Sequence, residues 1–167
     1  MTDFSNSLPP ECILRPASSS DIWAIRKLVL SAKLDPTQLR WQQFWVIESD
    51  KTLVACGQLR SFPEAQELGS LVVAPAWRGK GLGSYLVKYL IQQATQPLYL
   101  ECLGKKLVQF YHRFGFVAVS WQDLPSSLKS KFGLTQLASK LVPIISVTIM
   151  HYPKFELPVD EKQTPLP

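Results

Sequence analysis

Residues 71–84 read Leu-Val-Val-Ala-Pro-Ala-Trp-Arg-Gly-Lys-Gly-Leu-Gly-Ser, and they constrain the fold more than any other stretch. An apolar run meets a proline, and then Arg78, Gly79, Lys80, Gly81 and Gly83 fall within six residues. Leu82, Tyr85, Leu86, Tyr89 and Leu90 follow at the i, i+3, i+4, i+7, i+8 spacing of a helix with one buried face. The stretch predicts a strand, a glycine loop and a helix start. Glycines let backbone N–H groups approach an anion, and a helix N-terminus adds partial positive charge. A phosphate-bearing ligand is the expectation.

Composition sets the bounds around that loop. At 167 residues the chain has the length of one domain with a real core. Its net charge of +5 suits an anionic ligand but is too small and dispersed to argue for nucleic acid. Cys12, Cys56 and Cys102 are far apart and form no C-x-x-C pair, which suggests a reducing, cytoplasmic setting. His112 and His151 give no metal-ligand spacing, so no metal is expected. No secretory leader and no apolar run of membrane-spanning length is visible.

Taken in order, residues 1–10 and 154–167 read as loose tails. A strand at 12–15 is followed by N-cap residues around Ser18 and Asp21, then by a helix burying Ile22, Ile25, Leu28, Val29 and Ala32. Residues 44–48 and 52–60 form a predicted hairpin about the turn 49–51, with Gly57 marking a bulge or a close approach. A loop at 61–66 leads to a strand at 67–74, the glycine loop, and a helix that Pro97 ends. Strands are expected at 98–103 and 116–121, around a helix whose face carries Leu107, Phe110, Tyr111 and Phe114 and which Gly115 stops. One or two short helices in 122–143 form an insertion before a last strand at 144–152. The class is α/β, with a mixed central sheet flanked by helices.

Two familiar phosphate loops do not fit. No Gly-Lys-[Ser/Thr] occurs, and Gly79-x-Gly81-x-Gly83 has the wrong spacing for a dinucleotide fingerprint and follows four strands rather than one. Val73-x-Pro75-x-x-Arg78-Gly79-x-Gly81-x-Gly83 instead resembles the cofactor motif of the GNAT superfamily of acyl-CoA-dependent N-acyltransferases. Ile13-Leu14-Arg15-Pro16-Ala17 with Asp21 resembles the family's opening, and Gly57 sits where its third strand often carries glycine. Phe110-Tyr111-x-x-Phe114-Gly115-Phe116 is similar to its Tyr-x-x-x-Gly-Phe signature. The resemblance covers roughly residues 12–120 and the last strand. One position departs from it: Gly104 stands where the family often has an Asn that contacts the cofactor. That implies another group in the role, or one hydrogen bond fewer, about 0.5–1.5 kcal/mol.

The resemblance implies a single GNAT domain over 1–167 that moves an acetyl group from acetyl-CoA to a primary amine by direct attack. It implies that the backbone of Leu71, Val72 and Val73 binds the pantetheine arm. The amides of Arg78, Gly79, Lys80, Gly81, Leu82, Gly83 and Ser84 would bind the pyrophosphate. Tyr111 would donate a hydrogen bond to the leaving thiolate, since full transfer from a phenol of pKa ~10 to a thiol of ~8.5 runs uphill by ~2 kcal/mol. Glu67, at the start of the strand reaching the acyl site, is the candidate base, ahead of Glu64 and Glu101. Deprotonating a lysine amine at pH 7 costs about 4.6 kcal/mol and an α-amine about 1.2, so a site without a strong base leans toward α-amines. Monomer and homodimer stay open, neither nucleic acid nor membrane is an expected partner, and the alternative is a CoA-binding module without turnover. Trp41, Phe44, Trp45 and Trp121 could line an acceptor pocket or simply pack the core.

Overall fold

A computed structural model describes residues 7–141 and 146–153. The elements run β1 (Cys12–Pro16), α1 (Ile22–Ser31), β2 (Phe44–Ser49), β3 (Thr52–Phe62), β4 (Ala65–Val73) and α2 (Leu82–Gln93). They continue with β5 (Leu98–Leu103), α3 (Lys105–His112), β6 (Val117–Ala118), α4 (Ser126–Leu141) and β7 (Val147–His151). Short 3-10 turns stand at Ser19–Asp21, Trp41–Gln43, Pro75–Trp77 and Trp121–Asp123.

The strands form one seven-stranded sheet in the order β1-β2-β3-β4-β5-β7-β6. Only β4 and β5 run parallel, joined by the α2 crossover, so the sheet is mixed. Asp50 and Lys51, at φ of 47° and 60°, close the β2–β3 hairpin in two residues, the twist that suits paired strands. At the entry to α1, Asp21 accepts from the Ser18 backbone N–H at 2.7 Å and binds the Arg15 guanidinium at 2.7 Å.

Alternation along the strands sorts the core onto two faces. Ile25 and Val29 of α1 pack with Phe44, Val46, Cys56 and Val72 on one face. On the other, Leu82 and Leu86 of α2 meet Ile47, Val54 and Ala55, with Leu71 and Val73 against them. Val87, Leu90 and Tyr111 complete that side with Leu68, Leu98, Leu100 and Met150. The insertion helix α4 lies on the α1 side, where Leu128 and Phe132 bury with Ala65 and Ile149 beside Tyr99.

Several boundaries differ from the sequence expectation. The loop at 61–66 is a tight turn, because Glu64 takes a φ of 62° after Pro63. β4 begins early, at Ala65, and the Gln66 side-chain oxygen accepts from the backbone N–H of Thr95 at 2.7 Å and of Gln96 at 3.2 Å. The strand expected at 116–121 shrinks to Val117–Ala118, since Trp121 opens a 3-10 turn into a single long helix, α4. Leu107 is exposed rather than buried with Tyr111, because α3 packs chiefly against β5. Within the first ten residues, Leu8 packs against the α2-side core rather than hanging loose. Residues 1–6, 142–145 and 154–167 lie outside the described residues. Gly57 marks both a bulge and a close approach: the β3–β4 register skips opposite it, while β2 pairs with it in register at Trp45, and an added Cβ would stand 2.8 Å from Leu90 Cδ1.

Candidate active site

Two parallel strands that stop pairing create the central feature. β4 and β5 meet only at Gln66–Leu98 and Glu67–Tyr99. Beyond that, β4 continues to Val73 on β3 alone, and β5 continues to Leu103 on β7 alone. The edge of β4 carrying Leu71, Val72 and Val73 therefore faces a gap in the sheet instead of a strand. At the mouth of the gap β4 bulges: Cys56 pairs with Val72 and Gln58 with Gly69, so Ser70 and Leu71 together oppose Gly57. Ser70 adopts a φ of 48°, a conformation that non-glycine residues rarely take. Backbone donors and acceptors left unpaired at such an edge suit an extended ligand added as a strand.

The free edge of β4 leads directly into the glycine loop. Arg78 turns back to donate from Nε to the Val73 carbonyl at 3.2 Å, which ties the loop to the strand end. Gly79 and Gly81 sit at φ of 79° and 84°, and an added Cβ on either would meet nothing within 4 Å. Gly81 caps α2, with no side-chain cap and no acidic residue in the first turn, so the first backbone N–H groups of the helix are bare. Leu82 is buried and anchors the turn, while Ser84 is half-buried. Lys80 Nζ lies 4.4 Å from the centroid of the Trp77 ring, which holds its charge beside the loop. Open space, bare amides and cations match a pyrophosphate group, so the residues present fit the phosphates of coenzyme A.

Tyr111 and Glu67 flank the gap from opposite faces of the sheet. Tyr111 is buried in the α2-side cluster with Leu68, Leu100 and Cys102. Burial, and secondarily the neighbouring Cys102, pushes its hydroxyl well above the ordinary phenol value, so it stays protonated. A hydroxyl held in that form can donate a hydrogen bond but is a poor source of a free proton. Glu67, one residue from Leu68, points to the α1 side and is only 4% exposed.

Glu67 does not stand alone. Its Oε1 accepts from Nη1 of Arg60 at 3.0 Å, directly across the β3–β4 ladder. Nη2 of Arg60 donates to Ser70 Oγ at 2.9 Å, and Ser70 donates to Gln58 Oε1 at 3.3 Å. Gln58 in turn donates to the Gln38 carbonyl at 2.9 Å and to Gln43 Oε1 at 3.0 Å. Glu67 Oε2 and Arg60 Nε are buried with no hydrogen-bond partner. A Cβ on Gly69 would lie 2.5 Å from Arg60 Nη1, so the glycine clears the path of the guanidinium. Sequence reading singled out neither Arg60 nor Ser70; the one signal was a cation inside an apolar strand. Beside this network opens a cavity of about 230 Å³, lined by Thr37, Gln38, Leu39, Arg40 and Gln43 from the segment after α1 and by Arg60, Ser61 and Phe62 of β3.

Glu64 is an exposed turn residue, and Glu101 lies on the α4 side of β5. Burial raises Cys56 to about 12 and Cys102 to about 11, so neither thiol offers a thiolate near neutral pH. Gly104 begins α3 at φ 79°, ψ 158°, a backbone region essentially restricted to glycine, which is why no Asn side chain stands there. Phe44 packs under α1 and Trp45 packs edge-on against Tyr89 at 4.7 Å on the other face, so the aromatics do not share a pocket. Among the described residues no group of His, Cys, Asp or Glu is placed to hold a metal ion, and no helix is long and apolar enough to cross a membrane.

Comparison with known proteins matches residues 40–118 to the acetyltransferase (GNAT) domain family. The amino-acid acetyltransferase of Shewanella oneidensis is 31% identical over 144 residues, which is 78% of this chain and 32% of that protein. The Escherichia coli K12 amino-acid acetyltransferase is 25% identical over 142 residues, 77% of this chain and 32% of the relative. The chain thus spans about a third of the length of the curated relatives it matches. In fold it is similar to N-acetylglutamate synthase from Neisseria gonorrhoeae, solved with coenzyme A and N-acetyl-glutamate, at TM-score 0.67 and 19% identity over 87% of this chain and 36% of that one. It is also similar to Rv2747 from Mycobacterium tuberculosis, solved in complex with CoA, at TM-score 0.65 and 24% identity over 83% of this chain and 97% of that one.

Proposed function

Since the chain belongs to the GNAT acetyltransferases, we propose that it acts as a single domain transferring an acetyl group from acetyl-CoA to a primary amine. The observation that carries this reading is the free edge of β4 running into the open glycine turn and bare start of α2. In this reading the pantetheine arm extends along the backbone of Leu71, Val72 and Val73. The pyrophosphate rests on the amides from Arg78 to Ser84. The amine attacks the thioester carbonyl carbon through the gap, the C–S bond breaks, and the Tyr111 hydroxyl donates a hydrogen bond to the departing thiolate. Glu67, on the face opposite Tyr111, accepts the proton that the amine sheds.

The acceptor we favour is the α-amine of a free amino acid. One consideration supports it: the relatives are amino-acid acetyltransferases. Three free, buried cysteines support a reducing, cytoplasm-like setting. The test is thiol release from acetyl-CoA against amino acids, peptides, polyamines and small amines. Amine-dependent release with at least one amino acid is expected. Coenzyme A binding without release for any amine would favour a non-catalytic module, the reading to which Gly104 lends some weight.

A further inference from the structure

Ser70 holds a backbone conformation that serine does not favour. Its φ of 48° lies in the left-handed region, where glycine and asparagine are common and most other residues are rare. Glycine would adopt that φ without strain, so the bulge by itself calls for no side chain at 70. The residue stands with Leu71 opposite Gly57, at the mouth of the gap. Residues held in sparsely populated conformations gather at active sites, where surrounding contacts over-determine them. At Ser70 those contacts run through the hydroxyl.

The hydroxyl joins two buried side chains. It accepts from Arg60 Nη2 at 2.9 Å and donates to Gln58 Oε1 at 3.3 Å. Gln58 is fully buried, and its amide nitrogen is committed to the Gln38 carbonyl and Gln43 Oε1, which leaves its oxygen as a fixed acceptor. Arg60 has less support. Among the described residues Nη1 meets Glu67 Oε1, Nη2 meets Ser70, and Nε is buried without a partner. Gly69, beside Nη1, offers no side chain to brace it. Glu67 has less still: Oε1 rests on Arg60, and Oε2 is buried unpartnered. The polar chain from Gln58 through Ser70 and Arg60 to Glu67 therefore has no branch in its last two links.

We propose that Ser70 is a positioning residue for Glu67, acting through Arg60. Its hydroxyl anchors the guanidinium to Gln58, and the guanidinium fixes the carboxylate on the α1 side of the sheet. Without the hydroxyl, Arg60 keeps one polar contact, turns about it, and carries Glu67 with it. A base displaced by about an ångström is out of line for the amine's proton, an error that can cost about a hundredfold in rate. The inference rests on the acetyltransferase reading with Glu67 as base, and it adds the residues that hold that base in place.

The experiment compares Ser70→Ala, Ser70→Gly and Ser70→Thr in thiol-release kinetics, at a temperature where urea melts show each one folded. Ser70→Ala and Ser70→Gly both remove the hydroxyl, but only Ser70→Gly relieves the backbone. Ser70→Thr keeps the hydroxyl and, being β-branched, strains the backbone further. Ser70→Gly is expected to be more stable than Ser70→Ala, yet both should lose roughly ten- to a hundredfold in kcat. Ser70→Thr should stay within about threefold of wild type in kcat, and acetyl-CoA affinity within about twofold in all three. A kcat that recovers from Ser70→Ala to Ser70→Gly, in step with stability, assigns Ser70 a purely structural role and overturns the proposal.

In a Glu67→Gln background, Ser70→Gly should change kcat by less than about twofold, and a full further loss overturns the route through Glu67. The crystal structure of Ser70→Gly reads the same link without turnover. Arg60 displaced from Glu67 keeps the positioning role even if Glu67→Gln turns over normally, a result that would sink only the assignment of the base. Arg60 and Glu67 unmoved, still 3.0 Å apart, overturns the proposal.

Discussion

A Cβ added to Gly83 would stand 3.5 Å from Cγ2 of Val73 and 3.9 Å from Cζ of Phe110, ordinary contact distances that leave room for an alanine. Nothing inside the protein demands a glycine at this point of α2. The demand comes from outside if a ligand's phosphates approach the helix start. Gly83→Ala is therefore expected to keep or raise the melting temperature, since Ala is favoured over Gly in a helix by up to about 1 kcal/mol. Acetyl-CoA affinity should fall about tenfold by calorimetry. Unchanged affinity in the folded variant would remove the phosphates from this turn.

Tyr111→Phe preserves the packing against Phe116, whose ring centroid lies 5.9 Å away, and removes only the hydroxyl. A hydrogen bond to a developing charge contributes about 1.5–3 kcal/mol, so kcat should fall roughly ten- to a hundredfold. Acetyl-CoA affinity should stay within about twofold. Because burial holds the phenol protonated across the working range, the alkaline limb of the pH–rate profile should not move. A variant with wild-type kcat would return Tyr111 to a purely packing role.

Glu67→Gln keeps the shape of the side chain and an oxygen for Arg60 but removes the charge. Loss of a general base typically costs about 10²–10⁴ in rate. Leaving the Arg60 guanidinium buried without its counter-ion should also lower stability, by as much as about 3–5 kcal/mol. Turnover is therefore compared at a temperature where urea melts show the variant folded. Undiminished kcat under that condition would assign the base elsewhere.

Asp21 is bound by Arg15 and by the Ser18 N–H, and these hold its carboxyl well below the ordinary value of 3.8. A depressed folded-state value means stability that is fully present above the ordinary value and is lost as the pH falls through the folded one. Asp21→Asn should cost about 1–3 kcal/mol at pH 7 and flatten the decline in stability between about pH 4 and 2. Urea denaturation at stepped pH measures both. An unchanged acid dependence would show that the pair does not contribute to folding.

Much of the site was legible because its signals are local. The left-handed glycines at 79 and 81, the amphipathic register of α2, the two-residue turn at Asp50–Lys51 and the bulge at Gly57 are set by φ preferences and periodicities spanning a few residues. The same holds for Asp21 reaching back to Ser18 three residues earlier. Gly104 also belongs here once its backbone is known, because its φ and ψ exclude the Asn that the family resemblance suggested.

Tertiary structure alone decided the rest. Sequence alternation assigns Glu67 and Leu68 to opposite faces but does not say what covers either face. It was the packing of α1 and α4 on one side and α2 and α3 on the other that set Glu67 against Arg60 and buried Tyr111 away from it. The Arg60–Glu67 pair depends on the β3–β4 register, and the gap depends on where β5 leaves β4 for β7. These are distances between segments far apart in the chain, fixed by competition among strand pairings and helix packing rather than by any local preference. So the sequence by itself determined a strand, a glycine turn and a helix suited to phosphate. The separation of two parallel strands beyond Glu67, which leaves the edge of β4 unpaired as it runs toward that turn, had to wait for the whole sheet.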